Sequence, residues 1–150
     1  MVKTFKMKNS KNSTRSQKKY SLKNFQREIT VKFLEILLMI KLFHWKTTSF
    51  ATHKATDELY ASLNENIDNF IEVLLGKSGS RTDLLSNKNI ALIDLNSQEQ
   101  LKSKIDSIKG YLVDLDSNKA LGTMSNSDLF NIRDEILSDL NKFLYLLTFK

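Results

Sequence analysis

The chain has 150 residues, with no cysteine, no proline and only four glycines, which suits a single domain built from long helices. The absence of thiols excludes disulfide scaffolds, thiolate zinc sites and cysteine nucleophiles, so any metal centre must use nitrogen and oxygen donors. The net charge of +6 conceals a division: residues 1–27 hold nine basic side chains and no acid, while the rest hold 14 basic and 17 acidic ones.

Residues 1–20 are rich in Lys, Asn and Ser and hold too few apolar groups to offset the entropy of ordering, so they are expected to form a flexible basic arm. Lys3, Lys6, Lys8, Lys11, Arg15, Lys18, Lys19 and Lys23 are its cations near and within that arm. Such an arm attracts polyanions, whether nucleic acid, an anionic membrane or an acidic partner. The bland alternative is a solvated tail that keeps the protein soluble. The segment carries no apolar run of the signal-peptide type.

A four-helix bundle is expected over residues 21–150. Ser21 is a plausible cap for a first helix, whose apolar residues Leu22, Phe25, Ile29, Phe33, Ile36, Leu37 and Ile40 recur at helical spacing up to about Trp45. Its most apolar run, FLEILLMIKLF, is short and interrupted by Glu35 and Lys41, so no membrane span is expected. After the polar segment KTTSFAT, a second helix is predicted from about Thr52 to Leu75 with Gly76 as its cap, and a core stripe of Leu59, Leu63, Ile67, Phe70, Ile71 and Leu74. Residues 77–96 read as a long connection, with a short helix or turn in IALIDL. Ser97 is a cap for a third helix bearing Leu101, Ile105, Ile108, Leu112 and Leu115, with Glu99 and Gln100 near the capping-box position. Ser125 or Ser127 starts a fourth, bearing Leu129, Ile132, Ile136, Leu140, Phe143, Leu144 and Leu147. Four amphipathic helices with one long connection read as all-α, a four-helix bundle.

Both histidines and the only tryptophan fall between residues 44 and 53. His53 and Asp57 stand four apart on the second helix, as do Asp68 and Glu72, and each pair shares a face. Asp57 and Asp68 are eleven apart, almost three whole turns, so the two pairs lie on nearly one stripe. That step rises roughly 16 Å along the axis, far beyond a metal–ligand bond of about 2 Å. Each pair is therefore half a site. An antiparallel twofold pairing of this helix with its own copy would complete two sites per dimer. His44, at the end of the first helix, is a further nitrogen donor. The competing reading is a solvated stripe of acids with two unrelated imidazoles.

The pattern His44-Trp45, then Phe50-x-x-His53, then His53-x3-Asp57, ten residues, and Asp68-x3-Glu72 resembles the ferroxidase signature of Dps proteins, the miniferritins of the ferritin-like superfamily. The resemblance covers residues 30–76. The chain departs from the family pattern in a shorter gap between His44 and His53 and in a loop, KTTSF, without glycine. The chain is also similar in composition to small ferritin-like proteins of large DNA viruses. The resemblance implies a ferritin-like bundle that oxidises Fe(II) with peroxide or dioxygen and stores the ferric product. It implies iron ligands His44, His53 and Asp57 from one subunit and Asp68 and Glu72 from its mate, with Glu72 the bridging candidate and Trp45 packed beside the site. It further implies a homo-oligomer, a twofold dimer at least, with the family's dodecameric shell as the larger assembly; the end of the second helix is shorter here than in the family. DNA would be held non-specifically by the basic arm, with a cytoplasmic, nucleoid-associated or virion-associated location. Other bundle di-iron proteins use Glu-x-x-His within one bundle, and no such motif occurs here. Two further readings remain: a catalytically silent ferritin-like structural or DNA-packaging protein, and a monomeric helical interaction module.

Overall fold

The computed structural model describes residues 11–84 and 89–149, with side chains from Leu22 onward. It is all-helical among those residues: α1 (Lys11–Lys46), α2 (Phe50–Ser78), α3 (Gln98–Asp114) and α4 (Ser127–Leu146), with a single 3-10 turn at Leu115–Ser117 between α3 and α4. Among the described residues the backbone is already helical at Lys11, ten residues before the predicted cap at Ser21. No strong apolar period marks that extension, but it lacks both Pro and Gly, and its Lys, Gln and Arg residues favour helix. The rest of the predicted arm, with Lys3, Lys6 and Lys8, lies outside the described residues.

Local chemistry sets the other boundaries. Ser49 caps α2, its Oγ accepting the Thr52 amide at 3.2 Å, so α2 starts at Phe50 and only three residues separate it from α1. At its far end α2 runs through Gly76 to Ser78, and the left-handed residue is Gly79, with φ of 64°. Ser97 caps α3 by accepting from the Gln100 amide, and Gln100 Oε1 reaches back to the Asn96 amide at 2.8 Å. This reciprocal pair is a capping box displaced by one residue. Residues 89–96 are irregular, and no helix forms in IALIDL. These apolar residues face a bundle already closed by four helices, so Ile93 and Leu95 are only half-buried against it and Leu92 is exposed.

The predicted stripes form the core. Phe25, Ile29, Phe33, Ile36 and Ile40 of α1 meet Leu59, Leu63, Ile67, Phe70 and Leu74 of α2, Leu101, Ile105 and Leu112 of α3, and Leu129, Ile136, Leu140 and Phe143 of α4. Phe33 and Phe70 pack edge to face at 5.3 Å, a geometry favoured by the ring quadrupoles.

Side-chain contacts give the topology. α1 and α2 are antiparallel, tied by Gln26–Ser78 at one end and His44–His53 at the other. α4 runs antiparallel to α2, through Lys77–Asp128 and Asn66–Asp139. α3 runs antiparallel to α4, through Gln98–Leu147 and Arg133–Asp116. α3 closes the ring to α1, where the Tyr111 hydroxyl donates to Glu28 and Lys32 sits over the Tyr111 ring. The connection after α2 is anchored at Asp83 by Lys23 and Arg27, near the lower end of α1. Before α3 it is anchored by Lys46, at the upper end of α1, which contacts Asp94, the Leu95 carbonyl and Asn96. The order is therefore up, down, a long crossover, down and up.

Three groups in these ties are electrostatically tuned. Burial, reinforced by the Glu28 charge and hydrogen bond, pushes the Tyr111 phenol well above its ordinary range. A hydrogen bond from Lys77 and one from the Leu129 amide hold the Asp128 carboxyl below its own. Burial works against the Arg133 charge, but hydrogen bonds to Asp116 and Asp134 outweigh it and raise its pKa. No helix among the described residues is long and apolar enough to cross a membrane.

Candidate metal centre

His44 lies in the last turn of α1 and His53 in the first turn of α2. The three-residue connection folds these turns directly against each other. The imidazoles stack, with centroids 3.9 Å apart and planes inclined by 21°. Each ring bonds to the other residue's main chain: His44 Nδ1 lies 3.0 Å from the His53 carbonyl, and His53 Nδ1 lies 3.1 Å from the His44 carbonyl. A carbonyl only accepts, so Nδ1 carries the proton in both rings. In the neutral rings both lone pairs then fall on Nε2. Neither Nε2 makes a hydrogen bond among the described residues; His44 Nε2 faces Asp57 Oδ1 at 3.9 Å.

This is the arrangement that prepares imidazoles as metal ligands, because a carbonyl on one nitrogen fixes the ring and leaves the other nitrogen free. The two bonds also do structural work. The His44 carbonyl is one of the last four of α1, which lack helical partners, and His53 caps it.

The remaining predicted ligands are present but apart. His44 is buried, whereas His53, Asp57, Asp68 and Glu72 are all exposed. α2 is continuous from Phe50 to Ser78, so Asp57 and Asp68 stay roughly 16 Å apart along its axis. Among the described residues no three His, Asp or Glu side chains gather closely enough to hold a metal within this chain.

Trp45 follows His44 in the last turn of α1. It is 70% exposed in the single chain. Lys23, placed among the arm's cations, is paired with Asp83 at 2.9 Å. The sequence reading missed Thr56. It is fully buried, and its Oγ1 lies 3.1 Å from His44 Nδ1. The available signal was a polar residue between Ala55 and Leu59, on a face whose period calls for apolar side chains.

The model of a family of unknown function, DUF5856, matches residues 44–147. The chain belongs to DUF5856. The matched span begins at His44 and contains all five predicted ligands, so the stacked pair and the acidic stripe of this DUF5856 protein both lie inside the family region. Most of α1, including the basic extension, lies before it. No solved structure matches the chain.

Proposed function

We propose that this DUF5856 protein is a Dps-like, ferritin-like iron-oxidising and iron-storing protein whose sites are completed between two copies of the chain. The observation that carries the reading is the pair of imidazoles with both Nδ1–H groups committed to carbonyls and neither Nε2 hydrogen-bonded among the described residues, His44 Nε2 lying 3.9 Å from Asp57 Oδ1. The single long crossover in an up-down-down-up bundle also agrees with ferritin-like connectivity.

Iron here is substrate and cargo. Imidazole with carboxylate suits ferrous ion and also offers hard oxygen donors to the ferric product. His44, His53 and Asp57 would hold it from one copy, and Asp68 and Glu72 from the mate. Two ferrous ions each give up one electron to peroxide, which with two protons leaves as two waters; dioxygen is the alternative oxidant. The basic arm would add sequence-independent, salt-sensitive contacts to DNA phosphates.

Light scattering on the eluting protein, followed by ferrous loading with absorbance of ferric oxide, tests the reading. An oligomer that oxidises Fe(II) faster than buffer is expected. The Asp68→Asn, Glu72→Gln double variant should keep the oligomer and lose most of that rate. A monomer that leaves oxidation at the buffer rate rejects the proposal. A double variant with full activity rejects the ligand assignment alone. The specific competitor is a silent ferritin-like structural or DNA-packaging protein, favoured by the capping role of His53 at the end of α1. It predicts an oligomer with no oxidation.

A further inference from the structure

We infer that Thr56 is a positioning residue for His44, holding its imidazole in the Nδ1–H form with Nε2 presented as the ligand; this rests on reading the half-site as a metal centre. Thr56 Oγ1 sits 2.8 Å from the Thr52 carbonyl, 3.0 Å from the His53 carbonyl and 3.1 Å from His44 Nδ1. A hydroxyl has one proton and two acceptor sites. The proton goes to a carbonyl of the preceding turn, so towards His44 the oxygen acts as an acceptor. The His53 carbonyl is a shared acceptor, because a mid-helix carbonyl also serves the amide four residues on. Thr56 gives the same Nδ1–H a second acceptor. Both acceptors favour one tautomer and one ring orientation, and burial of the threonine excludes water that could replace it.

Packing and hydrogen bonding make opposite predictions for two substitutions. Thr56→Val keeps the branched shape and removes the oxygen. Thr56→Ser keeps the oxygen and removes a methyl group. The full chain is measured without metal at a pH well above the ordinary imidazole pKa of about 6.5, using long-range proton–nitrogen correlation spectra that separate the two tautomers. Wild type should show His44 as Nδ1–H. Thr56→Val should acquire a clear Nε2–H population, and its affinity for Co2+ alone should fall roughly tenfold, as expected for loss of a ligand's outer partner. Thr56→Ser should match wild type in both. If Thr56→Val does not fold, Thr56→Ala is judged by the same signal.

An unchanged His44 tautomer in Thr56→Val overturns the inference. So does Thr56→Ser being as disturbed as Thr56→Val, because packing would then be what matters. Wild type that binds no Co2+ rejects the metal reading instead, and the metal-free tautomer signal still decides the role of Thr56.

Discussion

Gly76 and Gly79 are three residues apart at the end of α2 and have opposite roles. Gly79 adopts φ of 64°, a left-handed conformation that costs an L-residue roughly 1–2 kcal/mol. Gly76 is helical and exposed, and a Cβ there would meet nothing within 4 Å. Gly79→Ala should therefore lower unfolding stability by about 1 kcal/mol, whereas Gly76→Ala should raise it by up to about 1 kcal/mol. Urea denaturation checks both. If both substitutions moved stability the same way, the placement of the cap would be wrong. In the sequence the two glycines look equivalent, and the periodic stripe ends just before the first. What selects the second is tertiary: Lys77 must reach Asp128, and Ser78 must reach Gln26, before the chain can turn. Trp45 was hard to read for a related reason. Its size suggests a core residue, but only the placement of α2 and α3 decides which face of α1 is covered.

The four helices were legible because their apolar stripes repeat at helical spacing, and the Ser97 cap of α3 is chemically distinctive. The placement of His53 with Asp57, and of Asp68 with Glu72, one turn apart on α2 was legible for the same reason, since spacing along one helix fixes which side chains share a face. Two things were not legible. The stacking of His44 on His53 depends on a three-residue connection whose length is set by the Ser49 cap. The extension of α1 back to Lys11 depends on backbone preference without an apolar stripe. That extension puts Lys11, Arg15, Lys18 and Lys19 on a helical backbone. Deleting residues 1–20 removes these cations together with Lys3, Lys6 and Lys8, and leaves every core residue among the described side chains in place. Under the proposed function, full-length protein should retard DNA in gels at low salt and lose this as salt rises. The deletion should abolish retardation and leave the oligomer unchanged. Retention of DNA binding after deletion would move the interface elsewhere.

At the scale of the whole molecule, one apolar surface has no cover among the described residues. Leu34, Leu38 and Trp45 recur on one face of α1 at steps of four and seven, and are 36%, 41% and 70% exposed; Phe50, at the start of α2, is 78% exposed. Phe50 stands on the helix that carries His53, Asp57, Asp68 and Glu72, and α1 packs against that helix. If the half-sites are completed by a second copy, this face is where the copy should lie, because pairing would cover apolar surface and bring the carboxylates of one α2 towards the imidazoles of the other. Leu38→Glu tests that. The side chain is already solvated, so the substitution should cost the isolated fold less than about 0.5 kcal/mol. Buried in an interface, however, an unpaired carboxylate is strongly unfavourable. Leu38→Glu should therefore elute near the 17.3 kDa of a single chain, keep its helical content, and oxidise iron no faster than buffer, because its half-sites would be unpaired. Val113→Glu, at an exposed apolar position on α3, should change neither mass nor rate. A Leu38→Glu protein that remains assembled would place the contact on another face, and one that is monomeric yet fully active would show that a single chain suffices for the chemistry.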